Sequence, residues 1–244
     1  MRQLAGRSKE RRQESAFLVE GVRLVEEALA GGWVFAFVLY DSTLSKRGKY
    51  LLESLRQSGV DVEEASEQLL SSSAGTENPQ GLLGVVNWQE LTLPEEPDFV
   101  LVLDQVRDPG NMGSLLRSAS AAGVQAVYLA PGCADTSSPK VVRAAMGAHF
   151  RLPIRGLDWE HTPGELAGLS WKLAEMNSGT NLWLADLRQP LVLVIGGEAE
   201  GASTAARQTC NETICIPMQP GTESLNAAAA GAILMFEVRR QRSQ

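Results

Sequence analysis

Apolar residues recur along the chain in short blocks with two alternating periods, and the alternation predicts an α/β protein. After a polar start, FLVEG at 17–21 reads as a strand and VRLVEEALA as a helix with Val22, Val25 and Leu29 on one side, stopped by Gly31 and Gly32. WVFAFVLY (33–40) reads as a strand, KYLLESLRQSG (49–59) as a helix and GVDVEEA (59–65) as a strand approach. A polar loop and a Pro-Gln-Gly turn then lead into the strand LLGVVNW. LTLPEEPDF, with Pro94 and Pro97 around two glutamates, is the best linker, which puts a boundary near residues 90–97.

The second block opens on FVLVLD (99–104), a continuous apolar run suited to a parallel strand covered on both faces. GSLLRSASAAG reads as helix, VQAVYLA as strand, SPKVVRAAMGA as helix and HFRLPI as strand. A helix around 163–175 follows, then strands at NLWLAD, LVLVIGG and ETICIP, and a final helix. Three of these strands open into polar, Gly-rich loops: DQVRDPGNMGSLLRSA (104–119), LVLVIGGEAEGAS (191–203) and IPMQPGTESLNAAAAGAILMFEVRR (216–240). Strand ends of this kind are where open α/β sheets hold ligands. There is neither a Gly-x-Gly-x-x-Gly after the first strand nor a Gly-Lys-Ser/Thr loop, so dinucleotide and P-loop readings lose their handle.

Composition adds bounds. With 244 residues and 44% apolar content the chain can build one good core or two modest ones. Its longest apolar runs fall well short of the roughly 20 residues of a membrane helix. The charged start lacks a secretory segment, so no membrane partner and a cytoplasmic location are expected. Cys133, Cys210 and Cys215, with His149 and His161, form neither a disulfide framework nor a zinc pattern, and no metal is expected. The net charge of -7 counts against a polyanionic partner, but Arg2, Arg7, Lys9, Arg11, Arg12 and Arg23 crowd the N-terminal part. Arg7, Arg11, Arg12 and Arg23 are the candidate contacts to a polyanion such as a nucleic acid, set against the plainer reading of a solvated tail.

Within the motifs, Asn111 and Arg117 offer a neutral hydrogen-bonding group and a forked cation near a helix start. Leu115, Leu116, Ala119 and Ala122 supply that helix's buried face. Gly196, Gly197 and Gly201 permit close backbone approach, and Glu198 either bonds a ligand, fixes Arg117 or caps a turn. Ser224 is a plausible N-cap of the last helix, with Leu225, Ala229, Ala232 and Phe236 along one face. Ala227, Ala228 and Gly231 allow unusually close packing of that helix.

In order and detail these motifs resemble the SpoU-type (TrmH-like) RNA ribose 2′-O-methyltransferases of the SPOUT class. Asn111, Gly113 and Arg117 match the family's first motif; Gly196, Glu198, Gly201 and Ser203 the second; Ile216, Pro217, Met218, Ser224, Leu225 and Asn226 the third. FLVEGVRLVEEAL and NPQGLLGVV look like its small recognition domain, and SPKVVRAAMGAHFRLPI like its mid-domain helix and strand. Ala199 departs from the Gly often found after the Glu, and the AAAAGA run replaces a more mixed pattern.

The resemblance implies a recognition domain over 1–93, similar to the ribosomal L30e-like fold, and a trefoil-knotted, parallel-sheet methyltransferase domain over 98–244 that pairs into a homodimer. It implies transfer of a methyl group from S-adenosylmethionine to a ribose 2′-hydroxyl, with ribosomal RNA of the 23S type ahead of transfer RNA. A non-catalytic RNA-binding or ribosome-assembly protein of the same fold is the alternative. Catalytic roles would fall to Arg117, Asn111 and Glu198, and cofactor contacts to Gly196, Gly197, Glu198, Ile216, Met218, Ser224, Leu225 and Asn226.

Overall fold

The computed structural model describes residues 1–74, 80–176, 178–198, 200–221 and 223–243. Ala199, and Asn78 with Pro79 of the NPQGLLGVV stretch, lie outside them. The chain begins with α1 (Arg2–Gly6), α2 (Ser8–Gln13), β1 (Ala16–Glu20), α3 (Val22–Ala30) and β2 (Phe35–Tyr40). It continues through α4 (Lys46–Gln57), β3 (Val62–Glu64), α5 (Glu67–Ala74) and β4 (Leu82–Asn87). After the linker come β5 (Phe99–Asp104), α6 (Pro109–Ala122), β6 (Ala126–Leu129), α7 (Pro139–Ala145) and β7 (Ile154–Gly156). The last part holds α8 (Thr162–Glu165), β8 (Ser170–Ala174), β9 (Thr180–Asn181), β10 (Leu191–Gly196), α9 (Thr204–Thr209), β11 (Glu212–Cys215) and α10 (Ala227–Arg242).

Two compact units result. One comprises Met1–Glu90 with Asp135–Arg151, the other Leu91–Ala134 with Leu152–Gln244. The first therefore includes a segment that the expected division assigns to 98–244. The reason is visible in its contacts. Arg11, only 5% exposed, bonds Asp135 Oδ2 at 2.5 Å, the Leu4 carbonyl at 2.6 Å and Ser137 Oγ at 3.2 Å. His149 and Phe150 join an aromatic cluster with Phe17, Trp33 and Trp88 at centroid separations between 5.3 and 6.5 Å. The four-stranded sheet of this unit runs β1-β4-β2-β3, antiparallel except for β2 with β3.

The second unit carries a seven-stranded, all-parallel sheet in the order β7-β6-β5-β10-β8-β11-β9. From β5 the chain builds β6 and β7 on one side, then crosses to build β8 and β9 on the other, and β10 closes the gap between β5 and β8. That reversal of direction leaves a crevice beyond the strands' carboxyl ends.

Several local expectations change. The N-terminal basic stretch is two short helices rather than a tail, with Leu4 buried. Residues 71–74, the start of the stretch read as a polar loop, are the end of α5. The helix expected around 163–175 is only the four-residue α8, after which Ser170–Ala174 is strand. Gly168, at φ 98°, turns the chain out of helical conformation, and Trp171, Lys172 and Leu173 are buried between β10 and β11. HFRLPI starts as a 3₁₀ turn at 148–150, because His149 and Phe150 turn into the aromatic cluster, and pairs as strand only from Ile154. NLWLAD yields just β9. There the Asn181 side chain accepts the Trp183 N–H at 2.9 Å, closing a turn that ends the strand.

Candidate active site

Asp108 caps α6 by accepting the Asn111 N–H at 2.8 Å, and Pro109 occupies its first turn, so Asn111 lies on the helix rather than in the loop before it. Met112, Leu115, Leu116, Ala119 and Ala122 are buried, as the periodicity requires, and Arg117 is exposed. Among the described residues Arg117 makes no hydrogen bond or ion pair. Glu198 therefore does not fix it; the Glu198 carboxylate accepts Asn111 Nδ2 at 2.6 Å instead.

The loop after β10 folds back on itself. Gly197 and Gly201 form an isolated bridge, and a Cβ on Gly197 would collide with the Gln105 carbonyl. Gln105 itself adopts φ 57°, an unusual backbone for a side-chain-bearing residue and one that concentrates at functional sites. The buried carboxylate of Asp104, at the end of β5, pins the far end of the loop by accepting the Ser203 N–H at 2.6 Å. Ser203 in turn caps α9. Arg107 bonds Gln105 Oε1 and lies 3.7 Å from Glu200 at the surface.

In the third motif the N-cap of α10 is Asn226, not Ser224. Its Oδ1 accepts the Ala228 and Ala229 N–H groups at 3.0 and 3.2 Å, and its Nδ2 donates to Asn111 Oδ1 at 2.8 Å. A single directed chain of side-chain amides and a carboxylate, Asn226 to Asn111 to Glu198, thus ties the three motifs together. The buried face of α10 is Gly231, Leu234, Met235 and Val238 rather than Ala229 with Phe236, which stay exposed. A Cβ on Gly231 would strike Leu115 of α6 and Ile195 of β10, and that close approach selects the face.

Between these loops lies a cavity of about 470 Å³, a size suited to a nucleoside-bearing ligand. Every residue expected to hold the cofactor lines it: Gly196, Gly197, Glu198, Ile216, Met218, Ser224, Leu225 and Asn226. Its deeper wall is apolar, from Ala174, Ile195, Ile214, Ala230 and Leu234. Ala174, Glu175 and Met176 at the end of β8, Glu200, and Arg207 on α9 also line it. Motif reading missed the β8 residues because the segment carrying them looked helical.

Two thiols, Cys133 and Cys210, are disfavoured as thiolates. Burial raises Cys210 to about 12, helped by Asp104 and Glu175, and raises Cys133 to about 11. Among the described residues no group of three or more His, Cys, Asp or Glu is arranged to hold a metal ion, and no helix is long and apolar enough to cross a membrane.

Of the candidate RNA contacts, Arg7, Arg12 and Arg23 are exposed. Arg11 is not available for that role, since its guanidinium is buried in the Leu4, Asp135 and Ser137 network. Burial alone would raise the Asp135 carboxyl, but hydrogen bonds from Ser137 and Arg11 outweigh it and hold the group below its usual value.

A parallel sheet whose carboxyl ends enclose a nucleoside-sized cavity, with three loops cross-linked at its edge, defines a ligand-binding α/β enzyme class. Residues 98–236 match the SpoU rRNA methylase family, and residues 1–84 match the MRM3-like substrate binding domain. The chain belongs to the SpoU rRNA methylase family. It is 34% identical to the 23S rRNA (uridine(2479)-2′-O)-methyltransferase of Streptomyces viridochromogenes, over 98% of this chain and 88% of that protein. It is 32% identical to the 23S rRNA (guanosine(2553)-2′-O)-methyltransferase RlmP of Bacillus subtilis, over 95% and 91%. The crystal structure of the SpoU methyltransferase AviRb from Streptomyces viridochromogenes, in complex with the cofactor AdoMet, superposes with a TM-score of 0.87 at 31% identity, covering 98% of this chain and 96% of that one.

Proposed function

We infer that the protein transfers a methyl group from S-adenosylmethionine to a ribose 2′-hydroxyl of RNA, with ribosomal RNA the substrate. The observation that carries this reading is the hydrogen-bond chain Asn226–Asn111–Glu198 at the edge of the cavity that all the cofactor candidates line. The cavity suits the cofactor chemically. Its apolar wall accommodates a base, its backbone-rich loops supply donors and acceptors, and Glu198 and Glu200 complement a sulfonium cation. When bound, S-adenosylmethionine supplies an electrophilic methyl group. The protein's task is alignment, together with stabilisation of charge as the hydroxyl loses its proton.

Arg117 carries that second role. A guanidinium does not deprotonate in proteins, so it acts by positioning phosphate and stabilising the developing alkoxide rather than as a base. Asn111 and Glu198 order the edge of the pocket on which the ribose is presented. Arg7, Arg12 and Arg23 contact RNA phosphates, which position the substrate without reading its sequence. The Streptomyces and Bacillus relatives, both 23S rRNA 2′-O-methyltransferases, support the ribosomal substrate.

Residues 1–90, with 135–151 packed among them, form the recognition domain, with an L30e-like fold, and residues 91–134 with 152–244 the transferase domain, with its C-terminal segment threaded into a trefoil knot. The return of α10 to α6 is consistent with such threading. Two copies pair through this domain. Ile233 and Phe236, 36% and 45% exposed on α10, supply an apolar surface for that contact.

The test is transfer of tritium from labelled cofactor into ribosomal RNA, followed by digestion to nucleosides. A 2′-O-methylated nucleoside is expected. Label on a base, or cofactor binding without transfer to any RNA, would overturn the reading, the latter in favour of a non-catalytic RNA-binding protein.

A further inference from the structure

Glu175 has a feature that the motif residues do not account for. Its backbone N–H bonds the Ile214 carbonyl at 2.9 Å, which sets it at the end of β8 beside the apolar wall formed by Ala174, Ile195 and Ile214. Its side chain is 18% exposed and is ion-paired through Oε1 to Arg207, while its Oε2 takes no hydrogen bond among the described residues. With one oxygen held by Arg207, the other is open on the cavity lining to a donor brought by a ligand.

The sheet order places this oxygen with respect to the rest of the cavity. β10 stands between β5, which leads toward Asn111, and β8, which ends just before Glu175, so those two strands lie two strand spacings, roughly 10 Å, apart. A base lying on the apolar wall brings the sugar attached to it toward Glu175, which adjoins that wall.

We propose that Glu175 accepts hydrogen bonds from the vicinal 2′,3′-hydroxyls of the cofactor's ribose, with Arg207 holding the carboxylate in place. The inference rests on the cofactor reading above and adds a binding residue to it. A carboxylate is acceptor-only and matches the two hydroxyl donors of a diol. The ammonium group of the methionyl tail is a competing donor. It is joined to the sulfur and not to the base, whereas Glu175 adjoins the wall that suits the base.

Calorimetry with S-adenosylhomocysteine, 5′-methylthioadenosine and the 2′-deoxy and 3′-deoxy forms of methylthioadenosine separates these cases. Unaltered protein should bind methylthioadenosine more tightly than either deoxy form. Glu175→Gln should weaken S-adenosylhomocysteine and methylthioadenosine alike, by about tenfold, as expected for loss of a charge-assisted hydrogen bond. It should also shrink the penalty for the missing hydroxyls. Loss of affinity for S-adenosylhomocysteine alone would move Glu175 to the methionyl ammonium and overturn the proposal. Equal binding of the deoxy forms by unaltered protein would overturn it without any variant. Absence of S-adenosylhomocysteine binding altogether would instead sink the cofactor reading on which it depends.

Discussion

Arg117 is exposed, carries no intramolecular partner among the described residues, and projects from the helix whose first turn holds Asn111. A cation left free in this way can be lost without disturbing the cavity. Arg117→Ala should therefore cut methyl transfer by about two to three orders of magnitude, the scale of removing a transition-state donor, while calorimetric affinity for the cofactor is unchanged. Equal losses in both would contradict the role. Asn226 does two things that can be separated. Asn226→Asp keeps an oxygen to cap α10 but loses the donor to Asn111, so thermal stability should hold while transfer falls. Leu225, 37% exposed on the cavity lining, can be replaced by Glu without harm to the core. That change should weaken cofactor binding by about tenfold or more, because the ligand would cover a charge. Residue types and spacing made Asn111, Glu198 and Asn226 legible in the sequence. Their partners were not: for Glu198 a ligand, Arg117 or a turn cap all remained open, and it holds Asn111, because nothing in one segment's spacing states which other segment approaches it.

For the elements, apolar period was a reliable guide where a segment had one dominant environment. FVLVLD and LVLVIGG are buried on both faces and became adjacent strands β5 and β10. It failed at 170–174, where Lys172 interrupts the apolar run; the lysine is buried and pairs with Glu212 at 2.5 Å, a compensation supplied by the neighbouring strand β11. It also failed on α10. An alanine-rich helix offers more than one small-sided face, and the one that buries is decided by Leu115 and Ile195 against Gly231. The same contact makes a prediction of opposite sign to helix propensity. Gly231→Ala, which would stabilise an ordinary helix by up to about 1 kcal/mol, should here cost about 1–3 kcal/mol through overpacking. Denaturant unfolding measures which prevails.

At the scale of the whole molecule, stability should depend on pH through a buried residue of the first unit. His149 is 2% exposed, bonds the Thr136 carbonyl at 2.8 Å through Nε2, and is pushed down by burial to about 4 from an ordinary value of 6.5. Between those values the unfolded chain binds a proton that the folded chain does not, so stability should fall as pH drops from about 6.5 toward 4 and level off below, a change of a few kcal/mol. Unfolding curves across that range should be flatter for His149→Gln. The proposed pairing of copies is tested by Phe236→Glu, which should turn a dimer into a monomer in light scattering. What the sequence by itself determined was the α/β class, the boundary near residue 90 and the motifs that mark the family, because period, turn residues and motif spacing are local properties. Only the tertiary structure decided that 135–151 belongs with the first unit, that Arg11 is buried, and that β8 brings Glu175 to the cavity. Those outcomes depend on which distant groups compensate a buried charge or fill a face, and burial is settled by the assembled chain, not by any one stretch of it.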